Sequence, residues 1–179
     1  MMKKLINPPH KIKSMCLAVP RRLVEELEKR GIDVESTLVD LLTKTLDLDA
    51  EVAVEAHLEL ALKYLEEGKN LVGRDPVQAS EKLYKAAEET VKALTMHFNL
   101  SDILAKVEKR GRWTVTELEK AVEAISERLG EWFSVAWDRA WALHVWGFHE
   151  AKLDSEAIRI RIPYVERIVV KAREAVERK

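Results

Sequence analysis

From Asp49 to Phe98 the chain repeats alanine, valine and leucine at steps of three and four residues, and the repeat is interrupted at Gly73-Arg74-Asp75-Pro76. That interruption constrains the fold strongly. Helical periodicity on both sides of so short a break gives two long amphipathic helices that must lie antiparallel, side by side. Asp75 stands where an N-cap side chain accepts from the first turn, and Pro76 where a helix needs no N–H donor. The second helix is therefore predicted over PVQASEKLYKAAEETVKALTMHF, with Ala79, Leu83, Ala86, Val91 and Leu94 as its core stripe.

The remaining segments extend the helical pattern. Only six glycines and five prolines punctuate 179 residues, of which 47% are hydrophobic and 34% charged, so a helix-rich globular chain is expected rather than a disordered one. SDILAKVEKR is closed by Gly111, Thr114 and Glu117 have capping-box spacing, and Gly130 precedes EWFSVAWDRAWALHVWGFHEAKL. IRIRI, Ile158 to Ile162, alternates without a partner strand and reads as an extended connector into a last helix at Pro163. The expected class is all-α: an up-and-down antiparallel helical bundle over residues 49–179.

Residues 1–48 read as a separate strand–helix–helix unit. KSMCLAV alternates Met15, Leu17 and Val19 on one side; Pro20 opens a helix that ends at Gly31, and Asp33 caps VESTLVDLLTKTL. Over residues 12–47 this resembles a ribbon-helix-helix module, which implies a DNA-binding regulator. The groove-facing residues would be Ser14, Cys16 and Ala18, which cannot read base edges as Arg, Lys, Asn or Gln do. Asp33 and Glu35 also place negative charge where a phosphate would dock, so dimerisation is favoured over DNA.

Charge and targeting narrow the partners. Thirty basic and 31 acidic residues are mixed along the chain, so no global field attracts nucleic acid and any such contact must be local. The lone Cys16 excludes an internal disulfide and a Cys-rich metal site. Neither a signal peptide nor an apolar span is visible, and a cytoplasmic location without membrane contact is expected. One glutamine and three asparagines beside many Lys, Arg and Glu suggest adaptation to heat.

The chemistry-bearing residues concentrate in WDRAWALHVWGFHE, Trp137 to Glu150. On an ideal helix Phe133, Trp137, Ala140, Trp141, His144 and Phe148 share one face and form a packing seam, whereas Asp138 and His149 point away. Arg139 falls on a stripe with Val135, Trp146 and Glu150. HEAKL lacks the second histidine of HExxH, so no metal or cofactor is expected. Arg139-x4-His144 resembles the arginine–histidine motif of the HEPN superfamily of helical proteins. That resemblance implies a metal-independent endoribonuclease in which Arg139 holds phosphate and His144 or His149 moves a proton. Ala140 stands where the motif has a polar residue, and the ideal wheel separates Arg139 from His144 by about 140°.

The segments LALKYLEEGKNLVGRDPVQASEKLYKAAEETVKAL and WALHVWGFHE resemble the archaeal PaREP family, and with them the body from about Asp49 to Val176. The resemblance implies a HEPN-like bundle, often dimeric. Tyr84 and Lys85 belong to its recurring segment and are candidate nucleotide contacts, while Glu88 and Lys92 read as a surface i,i+4 pair. The expected function is a non-catalytic, homodimeric interaction protein that contacts RNA or a nucleotide. The metal-independent endoribonuclease and the DNA-binding regulator are the alternatives.

Overall fold

The computed structural model describes residues 18–178. The chain divides into two compact units, residues 1–34 and 35–179. In the first, α1 (Arg21–Lys29) starts directly after Pro20 and is turned off by Gly31 at φ 66°, a left-handed conformation that glycine adopts without strain. The proposed strand lies mostly at residues 13–17, outside the described residues. Among the described residues no strand is present, and the chain is all-α.

The second unit carries most of α2 (Val34–Thr45), then α3 (Ala50–Leu71), α4 (Pro76–His97), α5 (Ser101–Arg110), α6 (Val115–Leu129) and α7 (Trp132–Ala142). A π-helical turn, Leu143–His149, continues α7, and α8 (Ser155–Arg159) and α9 (Ile162–Glu177) complete it. The Asp75 cap forms as expected: its Oδ1 accepts from the Gln78 amide at 3.0 Å, with Pro76 at the first helical position. Partners ascend along α3 as they descend along α4, from His57–Glu89 to Tyr64–Lys82 and Gly68–Leu83, so the two helices are antiparallel.

Two expectations are corrected. IRIRI is not an extended connector: Asp154 caps α8 by accepting from the Ala157 amide at 2.8 Å, and Ile158 is fully buried. Burial of that one side chain selects a helical turn over the strand suggested by alternation. Thr114 and Glu117 hydrogen-bond each other through their side chains, hydroxyl to carboxylate, instead of the Thr114 side chain capping a backbone amide.

Helix α4 is the hub of the second unit, packing against α3, α6, α7, the π turn and α9. Its buried face comprises Ala79, Leu83, Ala86, Val91 and Leu94, the stripe expected from the sequence. Two close approaches clamp it. A Cβ on Gly68 of α3 would lie 2.7 Å from Leu83 Cγ, and one on Gly147 of the π turn would lie 2.2 Å from Ser80 Oγ. Glycine at both positions lets a neighbouring backbone come closer to α4 than any side chain permits. Among the described residues no helix is long and apolar enough to cross a membrane.

Candidate functional site

The aromatic helix changes character along its length. Phe133, Trp137 and Ala140 are buried, and the Trp137 indole donates to Glu119 Oε1 at 2.8 Å, so this half is the expected seam. Beyond Ala142 the hydrogen bonding widens: the Glu150 amide donates to the Val145 carbonyl, five residues back, at 3.0 Å. A π turn holds one more residue than an α turn, and such turns occur frequently at functional sites. Here it forms where Gly147 is pressed onto Ser80, and its wider spacing brings residues five apart onto one face.

His144 and His149 are those residues. Their Nε2 atoms lie 3.1 Å apart and their rings cross at 81°. The 3.6-residue wheel sends His149 to the far side of the helix; the π turn overturns that reading. The Nδ1 of His144 is 2.9 Å from Glu81 Oε2, and a carboxylate only accepts, so Nδ1 carries a proton; in the neutral ring Nε2 then presents a lone pair. In that state His149 is the donor, through Nε2–H. The Tyr84 ring stacks on His144 at 4.2 Å, with Trp141 and Phe148 at 5.3 and 6.1 Å. His144 is half-buried at 21% side-chain exposure, and His149 is exposed.

Three of the remaining sequence candidates fall into place around this pair or away from it. Tyr84 is buried as the floor beneath His144. Burial, then the negative charges of Glu88 and Glu81, raise its phenol above the ordinary value, so it remains protonated. Lys85 stands 3.7 Å from Glu81, one residue removed from the imidazoles. Arg139 goes elsewhere, its guanidinium 5.5 Å from the centre of the Tyr164 ring on α9. The structure thus joins His144, His149, Tyr84 and Lys85, and leaves Arg139 out.

A second polar constellation escaped sequence reasoning. Ser36 and Asp40 of α2, His57 of α3, and Glu88, Glu89 and Lys92 of α4 form one network in the unit's interior. Lys92 donates to Ser36 Oγ at 2.6 Å and to Glu89 Oε1 at 2.8 Å, and lies 3.2 Å from Glu88. Ser36 donates to Glu89 at 2.6 Å, and His57 meets Glu89 Oε2 at 2.7 Å and Asp40 at 3.3 Å. Glu88 and Lys92 are therefore no ordinary surface pair, because Lys92 is buried among carboxylates. The signal was present: Glu89 is three residues after Ala86 and four before Ala93, on the core stripe.

Burial opposes charge on His57 and Lys92, but their carboxylate neighbours outweigh it. Asp40 and Glu89 hold His57 above its ordinary 6.5, and Glu88, Glu89 and Asp40 hold Lys92 above its own ordinary value. Burial would raise Glu89, yet Lys92 and then His57 keep it well below the usual carboxylate range. The network sets three carboxylates against two cations and fastens α2 to α3 and α4.

The model of the archaeal PaREP1/PaREP8 family matches residues 56–169. A crystal structure of a protein from Sulfolobus solfataricus is similar, at 36% identity and a TM-score of 0.62, covering 66% of this chain and 97% of that one. The solution structure of the Orf c02003 protein is 37% identical with a TM-score of 0.58, covering 66% of this chain and 92% of that one. No curated protein matches the chain.

Proposed function

Because the chain belongs to the archaeal PaREP1/PaREP8 family, whose match spans α4, α7 and the π turn, we propose that these helices act as a homodimeric, HEPN-like interaction module. The observation that carries this reading is Trp146, 54% exposed on the same helical run as exposed Val135 and Arg139. A large indole in solvent is the residue type that most often anchors an interface. Antiparallel pairing of two copies about a two-fold axis near residues 142–143 would set Arg139 of one copy against Trp146 of the second, a cation–π contact made twice. An RNA base or nucleotide would use the same rim, stacking on Trp146 beside His149. In sedimentation velocity at micromolar concentration, the wild type is expected to run as a dimer and Trp146→Asp as a folded monomer. A monomeric wild type would sink the reading.

A second reading, metal-independent endoribonuclease, is favoured by one specific observation, the Glu81–His144–His149 chain. A carboxylate-oriented imidazole facing another imidazole is equipped to accept and return a proton. Arg139 would have to reach phosphate from outside this group or from a second copy. RNA cleavage in chelator, present in wild type and absent from folded His149→Ala, is the expected result under this reading. Cleavage that survives the substitution removes it.

A further inference from the structure

The histidine pair has a use that neither reading includes. We propose that His144 and His149 together bind a divalent transition-metal ion of the zinc, nickel or copper kind through their two Nε2 atoms. Two imidazoles on one such ion, each about 2.0–2.1 Å from it, keep their ligating nitrogens about 2.9–3.4 Å apart for angles between octahedral and tetrahedral. The observed separation of 3.1 Å lies inside that range. The ring planes cross at 81°, so the two imidazoles do not stack face to face.

The surroundings fit a ligand role as well as the distance does. Glu81 on His144 Nδ1 is the carboxylate–histidine pairing that fixes the tautomer of metal-binding imidazoles and strengthens them as ligands. Tyr84 stacked beneath His144 at 4.2 Å holds the ring in that orientation before any ion arrives. His149 changes tautomer on binding, moving its proton from Nε2 to Nδ1 with no change in net charge. The ion takes the place of the hydrogen bond between the rings.

Imidazole nitrogens suit zinc, copper and nickel, whereas calcium and magnesium take oxygen. Among the described residues no group of three or more His, Cys, Asp or Glu side chains is placed around one ion. Among the described residues the two imidazoles are accordingly the ligands, and water fills the positions on the exposed His149 side. A bound ion would occupy the lone pairs that proton transfer requires, so it would inhibit any ribonuclease activity of the pair.

The test is calorimetric titration of the metal-free full chain with Zn²⁺, and quenching of tryptophan fluorescence by Cu²⁺. Wild type is compared with folded His149→Ala, His144→Gln, the double variant and Glu81→Gln, on a Cys16→Ser background. Expected are one ion per wild-type chain, loss of affinity of at least about tenfold in each histidine variant, and a loss of about tenfold or more in Glu81→Gln. His149 is exposed, so its replacement should leave circular dichroism unchanged. Unaltered affinity in either single histidine variant, or wild-type binding no greater than that of the double variant, overturns the proposal.

Discussion

Helix α4 meets two histidines through two of its glutamates, His57 through Glu89 at 2.7 Å and His144 through Glu81 at 2.9 Å. The pairs share their chemistry and differ in setting. His57 is completely buried between Asp40 and Glu89, in a network that also holds Lys92 and Ser36. His144 keeps part of its ring in solvent, and its second nitrogen faces the exposed His149. A histidine whose nitrogens both face carboxylates in the interior holds helices together, and one with a nitrogen at the surface is free to engage something new.

Removal of charge from the interior is the most severe way to break this comparison. Lys92→Ala leaves Glu88 and Glu89 without their shared cation, and a loss of about 3–5 kcal/mol is expected in urea unfolding. A loss below about 1 kcal/mol would mean that water reaches the network, and the contrast with the rim would fail.

His57→Gln comes next, at about 1.5–3 kcal/mol in mildly acidic buffer, where a charge-assisted hydrogen bond is lost. The pH dependence carries the sign. His57 is raised above 6.5 in the folded chain, so its contribution is full below that value and lost as pH rises through the folded pKa. Glu89 is lowered, so its contribution is present above the ordinary 4.5 and lost as pH falls through the folded pKa. Wild-type stability should therefore peak between these two windows. Thermal melts of His57→Gln should lack the alkaline decline, and an identical pH profile would show that His57 is not charged in the fold.

Gly147→Ala tests how the rim is built. Its Cβ would collide with Ser80, and a cost of about 1–3 kcal/mol is expected as the π turn moves off α4. Histidine ring signals in NMR should separate as the His144–His149 contact opens. Unchanged signals would detach the pair from the glycine.

The smallest effect belongs to His149→Ala, less than about 0.5 kcal/mol in the same unfolding measurement, because the side chain is exposed. A much larger loss would make His149 a structural residue and erase the distinction from His57.

The legibility of these regions in the sequence follows from the range of the forces that build them. Asp75-Pro76 specified its own helix start, and the Ala79–Leu94 stripe specified the buried face of α4, because caps and amphipathic periodicity act over one or two turns. His144 and Tyr84 were visible as chemistry on helices. Their meeting was not, since it joins α4 to a turn sixty residues away. His149 was assigned to the wrong face because a wheel assumes 3.6 residues per turn, and the turn over Leu143–His149 is wider. Lys92 was read as a solvent residue because i,i+4 charge pairs usually are.

By itself, then, the sequence determined the helical class, the antiparallel α3–α4 pair, the caps and the identity of the aromatic helix, all consequences of local periodicity and backbone hydrogen bonding. Only the tertiary structure decided that Lys92 and His57 lie in the interior and that His144 and His149 face each other. Those outcomes depend on which backbone approaches α4 most closely, and that is set by packing between segments far apart in the chain.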